Sequence, residues 1–263
     1  MADAHYTESD LRQAICSLPL RRGDVVYCHS AIGFFGRMEN CSNANALSSI
    51  IFDCIVDVIG SVGTLLVPTY TYSFPQGLDY DSLSDASEMG VFAEWVRTHP
   101  QSYRSDDPCF SVAAIGNDAE ALVGNVGENS FGANSVFERF FESEGKVLCM
   151  NFSGCTFIHY VERRFKVPYR FDKTFDGYFV KDGNRVRGRS TIFVRDLERS
   201  EYEDSPVQFE RLGRLRGYTS VQKLGRGELT VINAQSIYNL INKTLLHHPL
   251  FLTKAGLFVD EGT

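Results

Sequence analysis

No CxxC pair occurs anywhere in the 263 residues. The seven cysteines are scattered at 16, 28, 41, 54, 109, 149 and 155, without the paired spacing of a zinc site. An odd number of dispersed thiols also fits a disulfide framework poorly, so reduced thiols in a cytoplasm are expected. Long apolar runs are missing as well. The longest, such as "GTLLVP", fall far short of the roughly 20 residues that cross a bilayer, which excludes a membrane-inserted helix. The stretch "MADAHYTESDLRQAI" is polar and acidic, without the apolar centre of a signal peptide. There is no surplus of basic charge either. The formal net charge is −7, which argues against nucleic acid as the main partner, because phosphates call for a basic face. An acidic balance suits a cationic ligand such as an ammonium, and it equally suits plain solubility. Repeats and low-complexity segments are absent.

What is present is the composition of a soluble globular chain, 43% hydrophobic and 22% charged, long enough to bury a core without metal or disulfide support. Short apolar segments alternate with amphipathic ones. "ESDLRQAICSL" reads as a helix with an acidic first turn, and "GDVVYCHS" as a strand. "ANALSSIIFDCIVDVIG" reads as a helix closed by Gly60, and "GTLLVPTYTYSF" as a buried strand running into an aromatic loop. A short helix in "MGVFAEWVRTHP", a capped helix in "SVFERFFESEG" and a third buried strand, "KVLCMNF", follow. This alternation predicts an α/β fold, a mixed sheet covered by helices on both faces. After about Tyr169 the pattern changes. Alternating segments flank an Asp-Gly pair at 182–183, which predicts a β-hairpin, and a late helix follows in "INAQSIYNLINKTLLHHP". The division expected is a core over 1–170 and a smaller antiparallel, β-rich subdomain over 171–263, packed together as one unit.

Four stretches could carry chemistry. "CHSAIGFFG" turns through small residues at a strand end, where backbone amides can approach a phosphate or a carbonyl oxygen; a plain strand-to-helix turn explains it as well. "PTYTYSF" places Tyr70, Tyr72 and Phe74 at the carboxyl end of a buried strand, where they could stack on a planar or sugar ligand or simply edge the core. In "YRSDDPCFSVAAIG", Arg104 could meet an anion, and Asp106 and Asp107 could attract a cationic amine, or the aspartates could sit in a solvated turn. In "CTFIHYVE", a helix over 155–165 would put His159 and Glu162 at i and i+3 on one face, with Cys155 one turn earlier. A carboxylate beside an imidazole fixes its tautomer and strengthens it as a base. A surface ion pair or a core histidine is the plainer reading of that spacing.

In this order and at this spacing, "GDVVYCHSAIG", "GTLLVPTYT", "RSDDPCFSVAAIG", "NSVFERFFESEGKVLCMNF" and "TFIHYVERRFKVPYR" resemble the aminoglycoside 3-N-acetyltransferase family over roughly residues 10–180. The resemblance implies a non-GNAT acyltransferase fold and transfer of an acyl group from acyl-CoA to a primary amine on a sugar. It implies an acyl-CoA-binding and catalytic core with His159 as general base, Glu162 as its partner and Thr156 near the thioester carbonyl. His29, Ser30 and Gly33 look like the turn against the CoA arm. Ser111 looks like a pantetheine contact, with Arg104 and Phe110 on the same cofactor side. Glu94 looks like an acidic residue facing the acceptor, grouped with Tyr70, Tyr72 and Asp107. No metal is implied.

One position departs. The family's resistance enzymes usually carry "SxHP" where this chain has "SDDP", so Asp107 stands in place of a histidine. With "PTYTYSF" and "CTFIHYVE", this resembles the branch that acylates dTDP-linked amino-deoxy sugars for surface polysaccharides, using acetyl-CoA or 3-hydroxybutyryl-CoA. That branch is the acceptor class expected, with aminoglycoside acetylation as the alternative. Direct transfer within a ternary complex is expected; the rival is an acyl-enzyme on Cys155. Oligomeric state stays open, a homo-oligomer included.

Overall fold

Strands with no polar face belong where both faces are covered, and the central strands here have none. Residues 4–256 are described by the computed structural model of the chain. In chain order the first half contains α1 (Glu8–Cys16), β1 (Val25–Ser30), α2 (Ala44–Ile59), β2 (Thr64–Pro68), α3 (Val91–Arg97), β3 (Tyr103–Arg104), β4 (Val112–Gly116) and α4 (Ala119–Val123). Then come α5 (Val136–Glu142), β5 (Lys146–Met150), α6 (Phe157–Phe165), β6 (Arg170–Lys181), β7 (Asn184–Arg195), α7 (Val207–Leu215), β8 (Ser220–Leu224), β9 (Gly227–Asn233) and α8 (Ala234–Leu245).

Seven strands form one mixed sheet in the order β3-β4-β2-β1-β5-β9-β8. β1 is parallel to both β2 and β5, with Val26 opposite Lys146 and His29 opposite Cys149. The outer pairings are antiparallel. Alternation along the strands divides the core in two. Tyr27, Leu66, Val147 and Cys149 face α4–α8, while Val26, Cys28, Leu65, Val67, Leu148 and Met150 face α1–α3. The mixed α/β sheet expected from the sequence is the fold observed.

β6 and β7 form a separate two-stranded sheet. Its turn is the expected Asp-Gly pair, with φ of 50° at Asp182 and 74° at Gly183, as a type I′ hairpin turn requires. Bare backbone at Gly177 lets the hairpin lie on the Phe74 ring; a Cβ there would meet the ring at 2.8 Å.

The expected 1–170 and 171–263 division is only partly what the chain builds. The hairpin is its own sheet, but β8 and β9 return to the main one, and β9 covers the edge of β5 from Lys146↔Asn233 to Met150↔Leu229. The physical reason is the open edge of β5: without β9, a row of buried backbone amides and carbonyls would lack partners. The late helix starts later than "INAQ" suggests, because Ile232 and Asn233 finish β9; the Asn233 side chain then accepts from the Gln235 and Ser236 amides to cap α8. The expected helix over 155–165 spans Phe157–Phe165, with Thr156 at its N-cap. The segment 257–263 lies outside the described residues.

Candidate active site

Parallel β1 and β5 end side by side, and the loop leaving β5 turns directly into α6. Two left-handed residues, Asn151 at φ 55° and Gly154 at φ 77°, make that turn. α6 forms because Phe157, Ile158, Tyr160 and Val161 bury one broad face, and it stops at Lys166, left-handed at φ 52°, ahead of Val167 and Pro168. One helical turn then brings His159 Nδ1 and Glu162 Oε2 to 2.6 Å.

Glu162 is fully buried, and every partner it has is a donor or a cation. The Tyr169 phenol donates to Oε1 at 2.6 Å. The Arg170 guanidinium forms an ion pair with Oε2 at 3.0 Å and also pairs with Asp204. Burial alone would raise the Glu162 pKa; Arg170, His159 and Tyr169 outweigh it and hold the group below the ordinary carboxylate value. An ionised carboxylate only accepts, so Nδ1 of His159 carries the hydrogen and Nε2 is left with its lone pair. The imidazole is about one-fifth exposed and lines a cleft of about 260 Å³ together with Phe152, Thr156, Ile158 and Asp204.

His159, Glu162 and Asp204 bring their ligand-type atoms within 4.8 Å of one another. Arg170 already pairs with both carboxylates, so their charge is compensated by a side chain.

Other residues expected at the site divide into two groups. His29 joins the His159–Glu162 cluster from the end of β1. It is buried, Phe152 stacks on its ring at 5.0 Å, and its Nε2 accepts the Thr156 amide hydrogen at 3.2 Å. Burial, reinforced by the charge of His159, pushes the His29 pKa down to about 3, so the ring is neutral. The Thr156 amide is therefore engaged. Close by, the Tyr27 and Tyr70 phenols share a hydrogen bond at 2.6 Å. Tyr70 is buried in that pair. Tyr72, left-handed at φ 51°, packs edge-on against Tyr70 and Phe110. Cys155 also reaches the cleft, but burial pushes its thiol up to about 12. Ser30 is half-buried at the end of β1, and Gly33 is exposed on the short helical turn that follows.

In the second group the polar groups are held by protein partners. Ser111 is fully buried and donates to the Thr69 carbonyl at 2.6 Å. Arg104 donates to the carbonyls of Thr69, Ser82 and Asp85 and to the Thr69 hydroxyl, so its guanidinium braces the loop after β2. Glu94 takes a two-pronged ion pair from Arg97 and the Ser87 amide. Asp107 is buried rather than solvated, and its Oδ1 accepts the amides of Cys109 and Phe110.

Tyr169, Arg170, Tyr27, Phe152 and Asp204 had been given no role. Tyr169 and Arg170 stand directly after Pro168 in "KVPYR", seven and eight positions beyond Glu162, and that short offset was the available signal. Asp204 and Tyr27 reach the site only through tertiary packing.

The sequence model of a family described as aminoglycoside 3-N-acetyltransferase matches residues 28–246. Aminoglycoside N(3)-acetyltransferase III of Pseudomonas aeruginosa is 23% identical over 256 residues, spanning 88% of this chain and 90% of that protein. Among solved structures, aminoglycoside acetyltransferase AAC(3)-Xa superposes with a TM-score of 0.78 at 22% identity, over 92% of this chain and 93% of its own. AAC-IIIb, solved as a binary complex with CoASH, superposes with a TM-score of 0.75 at 20% identity, over 91% of this chain and 96% of its own.

Proposed function

The chain belongs to the aminoglycoside 3-N-acetyltransferase family, and we propose that it transfers an acetyl group from acetyl-CoA directly to a primary amine of an aminoglycoside, with His159 as the general base. The observation that carries this reading is the buried Glu162 carboxylate held against His159 Nδ1 at 2.6 Å, with the imidazole on the cleft.

An ammonium has no lone pair, and the amine becomes a nucleophile only once a proton has left. That proton leaves to solvent, and as the free amine attacks, His159 Nε2 takes a second proton from its nitrogen while Glu162 stabilises the imidazolium. The amine attacks the thioester carbonyl, and the oxygen gains negative charge that a fixed donor must meet. When the C–S bond breaks, the imidazolium can return a proton to the departing sulfur. Cys155 does not suit a covalent route: a thiol whose pKa is pushed up to about 12 is a poor nucleophile near neutrality.

The named relatives are aminoglycoside acetyltransferases, which supports the aminoglycoside over the dTDP-linked amino-deoxy sugar and acetyl-CoA over 3-hydroxybutyryl-CoA. Free-thiol release decides between the acceptors, with acetyl-CoA and either a gentamicin-type amine or a dTDP-amino sugar. Turnover of the aminoglycoside is expected. Turnover of the nucleotide-linked sugar alone would overturn the reading.

A further inference from the structure

We propose that the outer edge of β7, from Arg185 to Arg189, docks an extended acidic segment of a partner protein, which adds to the hairpin as a third strand. This surface is separate from the acetyl-transfer site and does not depend on that reading.

The ladder decides which backbone groups face that edge. In a strand the N–H and C=O of successive residues point to opposite sides. Thr191 points outward: its amide donates to the Glu128 carbonyl at 2.7 Å, and its carbonyl accepts the Ser130 amide at 2.9 Å. Arg189, Arg187 and Arg185 share its parity along β7. Their amides and carbonyls therefore point outward as well, while Ser190, Gly188 and Val186 face Phe175, Gly177 and Phe179 of β6. Among the described residues no protein group bonds the three arginine backbones. The opposite edge of the hairpin is different. There the Tyr80 amide donates to the Tyr178 carbonyl at 2.9 Å, and its carbonyl accepts the Val180 amide at 2.8 Å.

The open edge borders a groove of about 390 Å³, with Arg187 and Arg189 on one side, Val126 and Gly127 on the other, and Phe179 and Val186 in its lining. An extended chain laid there would satisfy β7 in the way strand addition does elsewhere.

Charge selects the occupant. The acids of the groove are already matched. Asp106 pairs with Lys181 at 2.7 Å and Glu128 with Arg189 at 3.0 Å, and Asp107 accepts two backbone amides. Arg185 is held by two bonds from Asp79. Arg187, at the centre, is 76% exposed, and its ion pair with Asp176 is 3.7 Å long, beyond a direct hydrogen bond. The charge left for a partner is thus a cation. A second copy does not suit this edge. Antiparallel pairing of β7 with itself about Arg187 would set arginine against arginine at all three positions, and like charges directly opposite repel. An acidic strand converts each position into a favourable cross-strand pair. Side chains alternate along such a strand. Residues opposite the arginines share their solvent face and are Asp or Glu; those between face Val186 and Phe179 and are small and apolar.

The test uses the full chain and a capped hexapeptide alternating valine and glutamate, with a valine–lysine hexapeptide as control. Saturable binding of the acidic peptide alone is expected, weaker in 0.5 M salt than at low salt. Amide hydrogen exchange at Arg187 and Arg189 should be fast in the free chain and slow at least about 10-fold with peptide bound, while Gly188 stays protected throughout. Arg187→Gln should weaken binding about 3-fold to 5-fold. Arg187→Pro removes the outward N–H without touching the ladder to β6, and should weaken it about 10-fold further. The exchange pattern of the unaltered chain gives the same decision should the proline variant not fold. Equal binding of the lysine peptide, no binding of the acidic one, or full affinity in Arg187→Pro overturns the proposal. So does slow exchange at Arg187 in the free chain that speeds up on dilution, which would make the occupant a second copy.

Discussion

Tyr169 donates its phenol hydrogen to Oε1 of Glu162 at 2.6 Å, on the oxygen opposite the one that His159 holds. Both oxygens of a fully buried carboxylate are thus satisfied, and its charge is kept where the imidazole needs it. Replacing Glu162 with Gln keeps the shape but removes that charge. We expect kcat to fall about 10²-fold to 10⁴-fold with acetyl-CoA KM little changed, as read by thiol release.

Arg170 is the cation that keeps Glu162 ionised, and its own side chain is 5% exposed. Arg170→Met leaves a buried carboxylate facing no cation. A loss of about 3–5 kcal/mol is expected, measured by chemical denaturation. The Glu162→Gln, Arg170→Met double variant should recover part of it, because no bare charge remains. Tyr169→Phe removes one neutral donor and should cost nearer about 1–2 kcal/mol.

His29 gives a stability signature in pH. Its pKa is pushed down to about 3 by burial and by the charge of His159, against an ordinary value near 6.5. Between those two values the unfolded chain binds a proton that the folded chain refuses. Stability therefore falls as pH drops from about 6.5, by up to about 1.4 kcal/mol per pH unit, and this slope ends near pH 3. Glu162, whose pKa is lowered, adds loss only in the more acidic range below the ordinary carboxylate value. Between pH 6.5 and 5 the unfolding free energy carries this slope, and His29→Gln should flatten that part of the curve relative to wild type. An unchanged slope would contradict a buried neutral ring.

Cys155, with its thiol pushed up to about 12, holds thiolate on the order of one part in 10⁵ at pH 7. Cys155→Ala should leave turnover close to wild type, and intact-mass spectra after mixing with acetyl-CoA alone should show no adduct. A stoichiometric 155-acyl species would replace direct transfer with a two-step route.

The elements legible in the chain were those written in local pattern. The Asp182-Gly183 turn, the apolar strands and the i, i+3 spacing of His159 and Glu162 all depend on neighbours a few positions away. What escaped depends on distance. Nothing in "GELTVIN" says that it will cover β5 rather than join the hairpin, because only the vacant edge decides it. Ser111 and Arg104 were read as ligand contacts, since a hydroxyl and a guanidinium near a strand end suit one. Their donors are instead held by the carbonyls of one loop. Asp107 likewise went from exposed acid to buried acceptor because Cys109 and Phe110 turn their amides onto it.

The contact between His29 and Thr156 joins positions 127 residues apart in the chain. Closing a loop of that length costs about 4 kcal/mol of chain entropy, recovered only once β5 has paired with β1 along five residues. The site is therefore a product of late assembly. Any partly folded species in which β5 has not yet docked holds the His159–Glu162 helix without the strand that anchors its first turn. Recovery of activity on refolding should then lag behind recovery of helical signal, and the lag should track the docking of these two strands.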